Sequence, residues 1–140
     1  MKAIIIEDEL PSARRLERLL QEFEIEILVK LNSVIATVLW FKKNKQPDLI
    51  FLDIQLSDGL CFDIFNQVKI TSKIIFTTAF SNYSIRAFDY NSISYLLKPI
   101  NKEKLTVALE KANEFHQKEI DLEEFKKLIL NYKIENYKDS

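Results

Sequence analysis

The sequence predicts an α/β fold: a doubly wound, parallel, five-stranded sheet built from a (βα) unit repeated five times. Two observations carry this prediction. Short apolar runs rich in β-formers recur at Lys2–Ile6, Ile25–Leu31, Asp48–Leu52, Lys73–Thr77 and Ile93–Leu97, and each is followed by a segment of helical period. The runs are near-continuous in apolar residues rather than alternating. That implies burial on both faces, which a parallel sheet covered by crossover helices requires.

Taken in order, the first run, KAIII, leads through Glu7-Asp8-Glu9 to Pro11, which is well placed to open a helix. Ala13, Leu16, Leu19, Leu20 and Phe23 then share one face. After the third run, Leu60, Ile64 and Val68 do the same, and after the fifth, Leu105, Ala108, Leu109 and Ala112. At 140 residues and 47% hydrophobic, the chain holds one domain with a real core and has no room for a second. Lys and Arg total 20 against 21 for Asp and Glu, so no sequence-wide basic field draws this chain to nucleic acid or to an anionic membrane. The single cysteine, Cys61, cannot form an internal disulfide, and no segment reaches the apolar length of a membrane span. The start, MKAIIIEDE, turns acidic where a signal peptide would stay apolar, and a cytoplasmic protein is expected.

The stretch PDLIFLDIQLSDGL raises the functional question, because a strand able to be buried ends in a carboxylate, Asp53. A buried, unpaired charge is costly, so a positive group should meet it. In doubly wound sheets the site lies beyond the carboxyl ends of the strands, where strand order reverses. For the order 2-1-3-4-5, the first and third strands are neighbours, and Glu7 and Asp8 face Asp53 across that point. The fourth strand ends in Thr77-Thr78-Ala79 and the fifth runs into Lys98-Pro99. Clustered carboxylates raise one another's pKa unless a cation neutralises them, and a hard divalent ion such as Mg²⁺ suits carboxylate oxygens. Asp53 is then a candidate nucleophile toward phosphorus, with Lys98 balancing charge on the phosphoryl oxygens and Thr78 hydrogen-bonding another.

The segments IIIEDE, PDLIFLDIQLSDGL, IIFTTAF and SYLLKPI, in this order and spacing, resemble the receiver domain of bacterial two-component response regulators, a flavodoxin-like (CheY-like) fold, over residues 1–115. The resemblance implies that Asp53 is the phosphoacceptor, that Glu7 and Asp8 form the acidic pair with Asp8 the direct metal ligand, and that the backbone carbonyl of Gln55 is a further ligand to Mg²⁺. It implies that Thr78 is the family's hydroxyl, Lys98 its phosphate-binding lysine, Tyr95 its aromatic switch residue, and that the Lys98-Pro99 bond is cis. A sensor histidine kinase is the implied partner, and the domain is regulatory rather than an enzyme acting on a separate substrate. The run TTAFSNYSIRAFDYNSISYLLKPINKEKL, with PSARRLERLL, is similar to receivers that precede a LytTR-type DNA-binding domain. The expectation is an excised receiver, with a stand-alone receiver as the alternative and any contact with DNA made through the missing effector domain.

The sequence departs from the common pattern at Glu7, where many members have Asp, and in the loop QLSDG, which lacks the frequent proline. Gln55 and Phe80 stand where the family tunes access of hydrolytic water, and neither is acidic. Taken singly, Asp8 and Asp53 could equally be solvated or helix-capping acids, Thr78 and Tyr95 packing residues of strands, and Lys98 a loop lysine. Cys61 is expected to pack as a small apolar side chain and His116 to be solvated. A dehalogenase-type phosphatase would need an acid/base aspartate where Gln55 stands, a flavin binder would want a phosphate cradle where EDELPSA presents acids, and a phosphorylation-independent pseudo-receiver would not need Asp53, Thr78 and Lys98 together.

Residues 116–140 form the last expected segment, an amphipathic extension or linker. Leu122, Phe125, Ile129 and Tyr132 make an apolar seam, and the expectation is that the fifth helix continues into it and pairs with another copy, giving a homodimer strengthened by phosphorylation, with a helix folded back on its own domain or a frayed linker as the alternative. Phe80, Tyr83, Phe88 and Tyr90 could add to that self-association surface.

Overall fold

The computed structural model describes residues 1–79, 94–114, 126–127 and 129–130. The parallel sheet contains β1 (Lys2–Ile6), β2 (Glu26–Leu31), β3 (Leu49–Asp53), β4 (Lys73–Thr78) and β5 (Ser94–Leu97), in the spatial order β2-β1-β3-β4-β5. The helices are α1 (Leu10–Leu20), α2 (Val34–Lys43), the single turn α3 (Phe62–Phe65) and α4 (Lys102–Glu114). Strand positions and the 2-1-3-4-5 order agree with the expectation from sequence. The aromatic run Phe80, Tyr83, Phe88 and Tyr90, together with His116, Leu122, Phe125 and Tyr132, lies outside the described residues.

Period-two alternation divides the core into two layers. Ile4, Ile6, Ile50, Leu52, Ile74 and Phe76 face α2 and α3, while Ala3, Ile5, Leu49, Phe51 and Ile75 face α1 and α4. From α1, Ala13, Leu16 and Leu20 enter the second layer, as do Leu105, Ala108 and Ala112 from α4. Cys61 is fully buried in the first layer, where burial pushes its thiol well above its ordinary pKa and the nearby Asp53 charge adds to the shift. Ile129 is also completely buried in that layer.

Burial on both faces holds for the central strands but not for β2, an edge strand on which Glu26, Leu28 and Lys30 are exposed. The register with β1 jumps from Ala3↔Ile27 to Ile4↔Val29, so Leu28 is an extra, bulged residue. Twisting a bulge into an edge also limits pairing with other chains.

The segment after β3 differs from the expected helical face Leu60, Ile64 and Val68. Gln55–Leu56 and Gly59–Leu60 form a small antiparallel hairpin turning at Ser57-Asp58, and only Phe62–Phe65 is helical. Ile64 is buried and Val68 packs on the same layer as foreseen, but Leu60 belongs to the hairpin. The chain's sole glycine, Gly59, makes this possible at φ 152°, a region L side chains rarely adopt. A Cβ there would also lie 2.7 Å from Asp63 Oδ2. That carboxylate can swing away, whereas the backbone cannot. Gly59→Ala should therefore lower stability by about 1–3 kcal/mol, read as a shift of the urea midpoint at unchanged slope. An unchanged midpoint would show that the hairpin relaxes without cost.

Candidate functional site

Parallel pairing places four strand ends side by side. Ile6 pairs with Leu52, Asp53 with Thr77, and Thr78 with Leu97, so Glu7, Asp53, Thr78 and Lys98 emerge at one edge of the sheet. Candidate ligand oxygens of Glu7, Asp8 and Asp53 all lie within 4.8 Å of one another. Glu7 and Asp53 are buried, each 7% exposed, whereas Asp8 is open to solvent. The carboxylate at the end of β3 does meet a positive group. Lys98 Nζ lies 3.1 Å from Asp53 Oδ2 and makes a close ion pair with Glu7 Oε1.

The surrounding backbone fixes this geometry. Lys98 N donates to Thr78 O at 2.7 Å, Ile54 N to Thr77 O at 3.2 Å, and Glu9 N to Glu7 Oε2 at 3.2 Å. The Lys98-Pro99 bond is cis, as the resemblance implied. Just beyond it, Ile100 O accepts a 2.9 Å hydrogen bond from Arg15 Nε, which ties the lysine loop to α1. A cavity of about 380 Å³ opens above the acids, lined by Asp8, Asp53, Gln55, Ser57, Thr78 and Lys98. Thr78 is almost wholly buried at its base. Tyr95 is half-buried, paired in register with Phe76, and packs against the α2–α3 layer.

The electrostatics are those of an acidic cluster held by one cation. Burial raises the Glu7 pKa above its ordinary value, and Asp53 reinforces the shift more than Lys98 opposes it. Asp8 is raised as well, by partial desolvation and by neighbouring Glu7. Burial would lower the Lys98 pKa, but Glu7 and Asp53 outweigh it and hold the ammonium above its usual range. The three carboxylates supply hard oxygen donors, with an open side at Asp8, and this donor set fits Mg²⁺.

Two features were not read from the sequence. Arg15 gave no signal, since one arginine on an exposed helix face is ordinary. Asp58 did leave one: Ser-Asp-Gly between apolar residues is a turn pattern. Asp58 Oδ1 accepts from Val34 N at 2.7 Å and Oδ2 from Ile35 N at 3.1 Å, so it caps α2 from a different part of the chain. Desolvation pushes the Asp58 carboxyl up, but hydrogen bonds from the Val34, Ile35 and Asp58 backbone amides together outweigh it and hold the carboxyl below its usual range.

A five-stranded parallel sheet flanked by helices, whose acidic edge is closed by a lysine after the fifth strand, defines the class of receiver folds. The family described as response regulator receiver domain matches residues 3–110, and the chain belongs to it. It is 34% identical over 128 residues to the sensory transduction protein LytT of Bacillus anthracis, covering 89% of this chain and 52% of that protein. The sensory transduction protein LytR of Streptococcus agalactiae is 32% identical over 124 residues, covering 84% and 50%. Among solved structures, the response regulatory domain of protein mrkE from Klebsiella pneumoniae superposes with a TM-score of 0.64 at 30% identity, covering 81% of this chain and 96% of that one. The chain spans about half the length of the curated relatives it matches. It is a receiver domain of the two-component response regulators, a regulatory module.

Proposed function

We propose that Asp53 accepts a phosphoryl group from a sensor histidine kinase, or from a small phosphodonor, in a Mg²⁺-dependent step. The observation that carries this reading is the bridge from Lys98 Nζ to both Glu7 and Asp53, beside an open cavity. An Asp53 oxygen forms the new O–P bond while the donor's P–N bond to histidine, or P–O bond in a small donor, breaks. The leaving group takes its proton from solvent. Mg²⁺, when bound, supplies neutralisation of the phosphoryl oxygens, and Glu7, Asp8, Asp53 and the Gln55 carbonyl are the groups proposed to hold it. Lys98 is placed to follow charge from the Asp53 carboxylate to the phosphoryl group, and the Thr78 hydroxyl to bond one of its oxygens. Movement of Thr78 would free space for Tyr95 and so remodel the β5 surface. The test is Mg²⁺-dependent mass gain from acetyl phosphate, in the native chain and in Asp53→Asn.

The likeness to LytT and LytR supports an output through a LytTR-type DNA-binding domain elsewhere in the full protein. No described helix is long and apolar enough to cross a membrane, and a cytoplasmic setting suits the single, buried Cys61. The burial of Ile129 supports a tail that folds back on its own domain over one that projects as a dimer helix. Self-association of the phosphorylated form is then assigned to the β5–α4 face, where Val107 stands exposed.

Glu7 is already engaged by Lys98, while Asp8 is exposed, so the two acids should divide the labour. Asp8→Ala is expected to weaken Mg²⁺ binding about tenfold or more, and Glu7→Ala by much less. Equal losses in a Mg²⁺ titration would contradict that division. Because Glu7 and Asp8 both hold protons above their ordinary values of 4.5 and 3.8, affinity should also fall as pH drops toward that range.

A further inference from the structure

The loop that follows Asp53 is nearly self-contained. Cys61 N closes it by donating to Ile54 O at 2.8 Å, the hairpin pairs Gln55 with Leu60 and Leu56 with Gly59, and Gln55 N reaches back to Asp53 Oδ1 at 3.4 Å. Its apolar side is anchored by Ile54 and Leu56, both buried. Its polar tip is tied to the rest of the domain by Asp58. The Asp58 carboxylate takes both of its oxygens to the first backbone amides of α2, Val34 N and Ile35 N. Ser33 separately caps the same helix within its own chain segment, its Oγ accepting from Ala36 N at 3.0 Å. The end of α2 therefore has a local cap and a second, long-range one.

The Ser33 side chain serves only the Ala36 amide, and Asp58 takes the two amides before it. Asp58 does something Ser33 cannot, since it joins the acceptor loop to a rigid element of the sandwich. Both bonds are charge-assisted, and the negative group sits at the positive end of the α2 dipole. Only Leu56 and Ser57 separate Asp58 from Gln55, and Asp58 is itself in the two-residue turn of the hairpin, so little slack remains between the clamp and the Gln55 backbone.

We infer that Asp58 is a positioning residue for the phosphoacceptor site: by clamping the hairpin to the N-terminus of α2, it holds the Gln55 carbonyl and the Asp53 carboxylate in the arrangement that takes the metal. The inference rests on the proposed reading of the site as a Mg²⁺ and phosphoryl centre. It also makes α2 a second element that senses the state of the site, beside the Thr78–Tyr95 side.

The experiment is a Mg²⁺ titration of the whole chain followed by amide NMR shifts, with urea midpoints measured on the same samples, for native protein, Asp58→Ala, Asp58→Asn and Ser33→Ala. Removing an outer group that orients a ligand weakens metal affinity by about ten- to a hundredfold in well-ordered sites. For one anchor of a loop held also by Ile54 and Leu56, the lower end is expected. Asp58→Ala should weaken Mg²⁺ binding by about tenfold, and Asp58→Asn, which keeps one acceptor oxygen, by less. Ser33→Ala should lower the urea midpoint comparably while leaving Mg²⁺ affinity within about twofold, because it removes a cap without releasing the loop. Protection of the Val34 and Ile35 amides should be lost in Asp58→Ala alone. Native-like Mg²⁺ affinity in both Asp58 variants overturns the inference while leaving the site reading intact, as does an equal loss in Ser33→Ala. Should Asp58→Ala fail to fold, the Asn variant gives the same comparison. If the native chain itself binds no Mg²⁺, the site reading falls and the inference with it.

Discussion

Asp53→Asn should abolish Mg²⁺-dependent phosphorylation of this domain by acetyl phosphate, with the fold unchanged. The side chain is nearly isosteric, and its neighbours supply groups that an amide can use: Lys98 Nζ at 3.1 Å donates to a carbonyl oxygen as well as to a carboxylate. What the amide lacks is an anionic oxygen with a free pair able to form an acyl phosphate. The remaining candidates are poorly placed to substitute. Glu7 is bonded to Lys98 and to Glu9 N, and Asp8 projects toward solvent. Intact mass after incubation should show an increment in the native protein that disappears on treatment with hydroxylamine, which cleaves mixed anhydrides of carboxylates. Equal mass gain in Asp53→Asn would move the acceptor elsewhere. Lack of gain in the native chain would favour a phosphorylation-independent interaction module.

How much of this was legible in the sequence follows from which interactions are local in pattern. The central strands announced themselves because a parallel sheet buried on both faces needs uninterrupted apolar runs such as LIFL and AIII. The site was legible for a related reason. Once strand order is set, the residue after each run lies at a common edge, so Glu7, Asp53, Thr78 and Lys98 could be brought together without knowing any side-chain angle. The hairpin at Gln55–Leu60 was less legible because apolar residues at 60, 64 and 68 fit a helical period, and periodicity alone cannot report that Gly59 takes φ 152°. The roles of Asp58 and Arg15 were not legible for another reason, although Ser-Asp-Gly did mark a turn at Asp58. Each bonds to backbone far along the chain, and no sequence pattern marks a backbone amide or carbonyl as the partner of a distant side chain.

The two routes proposed for output differ in kind. On the Thr78 side, the proposed coupling would run through the packing of β4 against β5, where Phe76 pairs with Tyr95. On the Asp58 side it would run through two hydrogen bonds to one helix end.

Lys98→Met should destabilise the metal-free domain by about 2–4 kcal/mol near pH 7, because it strands two buried carboxylates without a cation. Methionine preserves most of the apolar stem, so the loss is electrostatic rather than a cavity effect. The value is set below that of a fully enclosed pair, since the lysine side chain is 20% exposed and Glu7 and Asp53 are 5% and 10% exposed. The pH dependence follows from the direction of each shift. The Glu7 pKa is raised above 4.5 in the folded state, so folding favours its neutral form, and its ionisation costs stability as pH rises through the folded value. Without Lys98 that value rises further, and the deficit of the variant grows across the same interval. Toward pH 4.5 and below, Glu7 carries no charge in either protein and the deficit should shrink. The Lys98 pKa is raised above 10.5, so its contribution is fully present below that pH and is lost as pH rises through the folded value. The window of maximal difference thus runs from above the raised Glu7 value to about the ordinary lysine value. Mg²⁺ should narrow the gap within it, since a divalent ion between Glu7, Asp8 and Asp53 replaces the missing charge. Urea midpoints of both proteins across that range, with EDTA and with Mg²⁺, provide the measurement. A deficit that is independent of pH and untouched by Mg²⁺ would mean that Lys98 acts through packing, and the electrostatic account of the site would have to be abandoned.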